Sequence, residues 1–389
     1  MLRKTGILNS KIMAVLAASA AIFLFAGCSK GEVTPEPTKP TTPTTPTTTV
    51  SVDTLVTQMQ SKVAGREVGT YCTYYGSGLP NPNYVTYINY AFAEVYVSSN
   101  VYNGFKLQGG ESRFQSVVDL KKQNPAIKIF ISFTNGVANS DNKKDGGFSA
   151  ISANAAYRKQ FAEDCLAFIK KWGIDGIDID WEFPGLAWGA SADKAVDTDN
   201  FTLLMKQLRE TLGTNYLLSY AGYVKDKVKV TGGYEFMDIA AVMPYVDFVN
   251  VMTYDFDSAP SYHNALQDAG SYWDCVRTVN AYKNAGATMS KLHLGIPFYA
   301  RKAFSGTSAA VSYKNLSKSS AVWSSIASVP YIPDATTKSV TYSYDNTKSI
   351  FRKGSWMLGL GLSGMFCWEI SQDDASNTLQ KAMWNATMR

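Results

Sequence analysis

After Asp175, three acids alternate with larger apolar residues in Gly176-Ile177-Asp178-Ile179-Asp180-Trp181-Glu182. Successive side chains of an extended strand point to opposite faces. Asp178, Asp180 and Glu182 therefore share one face, and Ile177, Ile179 and Trp181 share the other. Carboxylates placed inside a fold cost free energy unless they are hydrogen-bonded, protonated or paired. Crowded carboxylates also raise one another's pKa, so a proton is retained near neutral pH. A retained proton is what a general acid needs to protonate a leaving-group oxygen. A structural acidic cluster or a Mg or Ca site would draw on the same residue types. Three acids on one strand face, followed by Phe183-Pro184-Gly185, point to catalysis instead, with Glu182 as the acid.

Such a ladder needs a strand with one polar inner face. Eight segments read as strands, beginning near Glu67, Thr86, Ile127, Ile174, Asn215, Val246, Leu292 and Ser363. Helical patterns lie between several of them. Phe114, Val117, Val118 and Lys121 mark one. Phe161, Cys165, Phe168, Ile169 and Trp172 mark another, and Phe201, Leu204, Leu208 and Leu212 a third. Eight strands alternating with helices predict a (β/α)8 TIM barrel, whose sites sit at the C-terminal ends of the strands. A doubly wound open sheet is the alternative, but no GxGxxG turn follows the first strand.

Composition narrows the class further. The chain has 389 residues, 46% of them hydrophobic, which is ample for a large core. Its 8 Trp, 23 Tyr and 19 Phe suit a core and equally a cleft whose rings stack on sugars. The only histidines are His263 and His293, which argues against a His-based zinc site or a His-dependent triad. Cys72, Cys165, Cys275 and Cys367 are scattered without a CxxC, so they indicate neither a zinc site nor a disulfide framework. No metal and no cofactor are expected.

The N-terminus reads as a targeting segment. Arg3, Lys4 and Lys11 precede an apolar run from Ile12 to Ala26, too short and Ala-rich for a permanent span. Leu24-Phe25-Ala26-Gly27-Cys28 resembles a bacterial lipobox, with Phe25 replacing the usual aliphatic residue; an ordinary cleaved secretory signal is the alternative. The expectation is a signal peptide over 1–27 and a lipidated Cys28. A Thr/Pro-rich spacer would run to about residue 61, and a catalytic domain would fill 62–389. The protein would then be an exported bacterial lipoprotein of the cell envelope or surface, held to the membrane by its anchor alone. Removing residues 1–27 lowers the formal charge from +5 to +2, because they carry three bases and no acid. That near-balance argues against nucleic-acid binding. A monomer is expected.

The acidic segment resembles glycoside hydrolase family 18, the chitinases and their relatives. Its DxxDxDxE pattern is complete in Asp175, Asp178, Asp180 and Glu182, and DGIDIDWEFPG looks like the chitinase branch. Other segments similar to the family recur in order over about residues 66–389. They are Thr86 to Phe92 (TYINYAF), Met252 to Asp255 (MTYD), Gly295 to Arg301 (GIPFYAR) and Gly364 to Glu369 (GMFCWE).

This resemblance implies a substrate-assisted mechanism, in which the substrate's N-acetyl oxygen replaces a protein nucleophile. Glu182 would protonate the glycosidic oxygen, and Asp180 would orient the acetamide. Asp178 would share a proton or hydrogen bond with Asp180. Tyr254 would bond the acetamide oxygen, Asp255 would contact the distorted sugar, and Trp368 would form the floor. Tyr71 and Ser132 would support Asp178 or line the substrate site. Tyr223, Tyr299 and Arg301 are candidate cleft residues. Asp175 and His263 read as structural.

Two departures stand out. The third strand ends in Ser132-Phe133-Thr134-Asn135-Gly136 where the family has a Ser-x-Gly-Gly motif. Only about 42 residues separate Arg301 from Tyr344, so any insertion between strands seven and eight is at most a reduced one. A lower wall would favour open, endo-type access. The expected substrate is a chitin-like polysaccharide or oligosaccharide of β-1,4-linked N-acetylglucosamine. One alternative is an endo-β-N-acetylglucosaminidase cutting the chitobiose core of N-glycans. A non-catalytic sugar-binding relative would typically lack Glu182, and a purely structural lipoprotein would have no use for an inward acid ladder.

Overall fold

The computed structural model describes residues 59–389, apart from 100, 136–146, 187–191, 194, 224–235, 257–261, 268–272 and 302–309. The proposed signal, Cys28 and the Thr/Pro spacer up to residue 58 lie outside the described residues. In chain order the strands are β1 (Glu67–Thr73), β2 (Tyr87–Ser98), β3 (Val101–Leu107), β4 (Lys128–Thr134), β5 (Gly176–Asp180), β6 (Leu217–Gly222) and β7 (Phe248–Val251). There follow β8 (Leu292–Pro297), β9 (Tyr299–Ala300), β10 (Val311–Ser312), β11 (Val322–Ser324), β12 (Val329–Pro333), β13 (Val340–Ser343) and β14 (Gly364–Trp368).

Parallel pairing runs β1-β14-β8-β7-β6-β5-β4-β2, and a further β1–β2 pairing closes the ring. The eight strands foreseen from sequence thus form a closed parallel barrel. Its strands are rich in Val, Ile, Leu and aromatic residues because both faces are covered. The outer face of β5 illustrates this. Ile177 and Ile179 are fully buried, and Trp181 just beyond the strand stacks on Phe148 at 5.4 Å.

The three foreseen helical stripes are helical. Helix Ala155–Trp172 is capped by the Asn154 side chain, ends at the left-handed Gly173, and buries Phe161, Cys165 and Ile169. Helix Asp197–Leu212 buries Phe201, Leu204, Leu208 and Leu212. The first stripe is shorter, Gly110–Val118, and continues as a 3-10 turn.

Two features were not foreseen, and a third was foreseen only in its size. An antiparallel hairpin, β3 on the extended end of β2, is added outside the ring. Only a 3-10 turn, Pro82–Tyr84, lies between β1 and β2, and the C-terminal helix Thr378–Thr387 docks there instead. Trp384 meets the Tyr84 ring at 6.4 Å, and Gln380 bonds the Asn81 backbone at both its N–H and its C=O. Finally, the segment between β8 and β14 carries a three-stranded antiparallel sheet, β11-β12-β13, and the small β9–β10 pair. That is the reduced insertion expected, built from strands and 3-10 turns. The four described cysteines are free and buried.

Candidate active site

Register places the acids. Ser132 of β4 and Ser219 of β6 flank Asp178 of β5 directly across the sheet. Both serines donate to it, Ser132 Oγ to Oδ2 at 2.7 Å and Ser219 Oγ to Oδ1 at 2.6 Å. Tyr71 of β1 reaches across the barrel and donates its hydroxyl to Oδ2 at 2.8 Å. Burial pushes the Asp178 carboxyl up, and these three hydroxyls oppose it by favouring the charged form. The expected tie between Asp178 and Asp180 is an electrostatic one. The partner that Asp180 hydrogen-bonds is Glu182, and Asp178 is occupied by hydroxyls.

Asp180 is only 4% exposed. Burial, then the charges of Glu182 and Asp178, hold its pKa well above the usual carboxylate range. Glu182 is raised by burial, against the hydrogen bond from Asp180, with Asp255 adding to the rise. The pair therefore keeps a proton that two exposed carboxylates would release. Glu182 lies past the end of β5, and its backbone is fixed by a residue the sequence reading passed over. Asn135 accepts from Glu182 N–H at 3.1 Å and donates to Glu182 C=O at 3.3 Å. The departure from the family pattern after β4 thus supplies a two-point clamp on the general-acid candidate. The following turn is held by Asp197, which accepts from Gly185 N, Asp193 N and Ser149 Oγ.

A cavity of about 250 Å³ opens over this cluster. Tyr71, Asp180, Glu182, Tyr223, Tyr254, Asp255 and Trp368 line it, with Ala221 and Met252. Trp368 stacks on Phe92 at 5.7 Å and packs against Tyr71 at 5.4 Å, which holds the ring in place. Burial first, then the charges of Asp180, Glu182 and Asp255, keep the Tyr254 hydroxyl protonated and able to donate.

Three residues proposed to touch substrate, Ser132, Tyr299 and Arg301, do not line this cavity themselves and each is bonded to one of the acids. Ser132 is wholly buried and spent on Asp178. Arg301 forms an ion pair with Asp255 at 2.7 Å, and the Tyr299 side chain also bonds Asp255. His263, read as structural, places Nδ1 3.4 Å from Asp255 Oδ1. Burial alone would raise the Asp255 carboxyl. Hydrogen bonding and charge from His263, then from Arg301, bring it down to about 2, so this acid stays ionised beside a pair that does not. Asp175 pairs with Lys121 at 2.6 Å and caps the Ile129 N–H, a structural role at the start of β5.

A cavity with a proton-retaining acid pair, a phenol hydroxyl and an aromatic ring has the groups to protonate a bridging oxygen and hold a polar ring. Comparison with known proteins names the group to which such a barrel belongs. The family model for glycosyl hydrolases family 18 matches residues 64–373, and the chain belongs to that family. It is 30% identical over 316 residues to Chitinase A1 of Niallia circulans, covering 68% of this chain and 43% of that protein. It is 28% identical over 338 residues to Chitinase 1 of Aphanocladium album, covering 74% and 75% of the two chains. In fold it resembles a family 18 N-acetylglucosaminidase from Paenibacillus barengoltzii, with a TM-score of 0.68 at 24% identity, over 82% of this chain and 99% of that one. The chain spans less than half the length of the Niallia enzyme.

Proposed function

We propose that the barrel hydrolyses β-1,4-linked N-acetylglucosamine, as chitin or chitooligosaccharides, with retention and with the substrate's own acetamide as nucleophile. The observation that carries this reading is that the buried, hydrogen-bonded acids Asp180 and Glu182 line one cavity with Tyr254 and Trp368. In the proposed reaction Glu182 gives its proton to the glycosidic oxygen as the C–O bond breaks. The acetamide oxygen closes on the anomeric carbon, and Asp180 accepts from the acetamide N–H and balances the cationic ring that forms. Tyr254 O–H directs the acetamide oxygen. Water then adds to the anomeric carbon, its proton passing to Glu182, and the acetamide is regenerated. Asp255, kept anionic, is placed to accept from a sugar hydroxyl.

Product analysis on defined N-acetylglucosamine oligomers, run beside a high-mannose glycoprotein, tests the reading. The expected result is oligomer cleavage with the β-anomer formed first. Release of glycan from the glycoprotein alone would transfer the assignment to an endo-β-N-acetylglucosaminidase, and α-anomer first would remove the acetamide nucleophile.

A further inference from the structure

The Asp178 carboxylate is the end of a longer polar path. Tyr71, which donates to it, receives a hydrogen bond from Asn250 Nδ2 at 3.2 Å. Asn250 Oδ1 accepts the Tyr87 hydroxyl at 2.7 Å, and Tyr87 Oη lies 2.8 Å from His293 Nδ1. These residues come from β1, β7, β2 and β8, and each is at most 2% exposed. The far end is also the far end of the barrel. Tyr87 and His293 border a second cavity of about 270 Å³, lined by Glu67, Lys128, Leu217 and Phe248 at the N-terminal ends of their strands. The arrangement is built tightly. A Cβ on Gly69 would come within 1.9 Å of the Tyr87 ring, and the His293 ring stacks on Phe248 at 4.5 Å.

Donor counting fixes the direction. A phenol has one O–H to give. Tyr71 gives its hydrogen to Asp178, and Tyr87 gives its own to Asn250 Oδ1. The bond between Tyr87 and His293 must therefore run from Nδ1–H to the phenol oxygen. Burial brings the imidazole down to about 3, so it is neutral, carries one N–H, and carries it on Nδ1. All four bonds then point toward Asp178. Reverse the supply and the chain can switch. With Tyr87's hydrogen withdrawn, the Asn250 amide is free to turn its carbonyl toward Tyr71, and the Tyr71 O–H gains an acceptor that competes with Asp178.

Building on the proposed hydrolase reading, we propose that His293, Tyr87 and Asn250 are positioning residues: a one-way hydrogen-bond chain from the barrel floor commits the Tyr71 hydroxyl to Asp178, and so holds that carboxylate under Asp180. Aligned bonds in a dry interior polarise one another, which favours a chain over isolated pairs.

Two measurements test this. In 15N-labelled protein the two histidines are told apart by the signals missing from a His293→Asn spectrum. Long-range 15N–1H correlations should show His293 as the Nδ1–H tautomer; an Nε2–H tautomer overturns the proposal without any assay of activity. In kinetics on N-acetylglucosamine oligomers, Tyr87→Phe should lower kcat about tenfold with KM within about twofold. Adding Asn250→Leu to Tyr87→Phe removes the competing carbonyl and should restore most of the lost kcat. A merely structural role would make the double variant worse. Wild-type kcat in Tyr87→Phe, or a double variant no faster than the single one, sinks the chain. A wild-type protein that cleaves no oligomer fails the hydrolase reading instead, and the tautomer then decides the chain alone.

Discussion

Asp345 and Asp180 are both buried acids of the same barrel, and they differ in what neutralises them. Asp345 meets Lys353 Nζ at 2.7 Å, with both side chains fully buried. Asn264 and Ser349 complete its hydrogen bonds. The charges that act on Asp180 are of its own sign, from Glu182 and Asp178. One site answers a buried charge with a counter-charge and is finished electrostatically. The other answers it by keeping a proton, which leaves something to transfer. Burial of acids alone therefore does not mark a reactive centre; a buried acid whose nearest charges are of its own sign is the better marker.

The sharpest way to break this contrast is to remove the transferable proton. Glu182→Gln should lower kcat by about 10²–10⁴-fold while circular dichroism and oligosaccharide binding stay near wild type. An active Gln variant would mean that another residue is the acid. On the other side, Lys353→Met strands Asp345 without its counter-charge and should destabilise the fold by about 3–5 kcal/mol in denaturant titration. Its kcat should remain near wild type wherever the variant is folded; unchanged stability would show the pair to be dispensable.

A smaller effect separates the two clusters by pH. Asp180 has a folded pKa above its unfolded value of about 3.9. Such a group supports folding fully below the unfolded pKa and loses that support as pH rises through the folded one. Asp180→Asn cannot ionise, so its melting temperature should gain on wild type between pH 4 and pH 8, by about 1–2 °C. A constant difference across that range would mean that Asp180 titrates normally.

Much of this was readable from the chain because local hydrophobic patterns survive without coordinates. The β5 ladder follows from alternation, and the eight barrel strands from short apolar runs set between helical patterns. What could not be read was lateral register. Ser219 faces Asp178 only because β5 and β6 pair as they do. Asn250, Tyr87 and His293 lie far apart in sequence and meet only because a closed ring turns their side chains toward one axis. Asn135 looked like a defect in a familiar motif, since its amide matters only once the Glu182 peptide is beside it. Tyr299 and Arg301 follow β8, and nothing in their spacing shows that both side chains are taken up by Asp255, an acid of the cavity lining. The β3 hairpin was overlooked because it extends a strand already counted.

The four buried thiols carry a consequence for how the barrel can be made and handled. None is joined to another, and burial raises each of them, Cys72 and Cys275 to about 12, against a charge from Arg113 or Lys353 that lowers it. Thiolate is the species that attacks disulfides and electrophiles, and these side chains hold back from forming it. Among the described residues the barrel is held together without a disulfide. It should tolerate reducing agents and alkylating reagents alike.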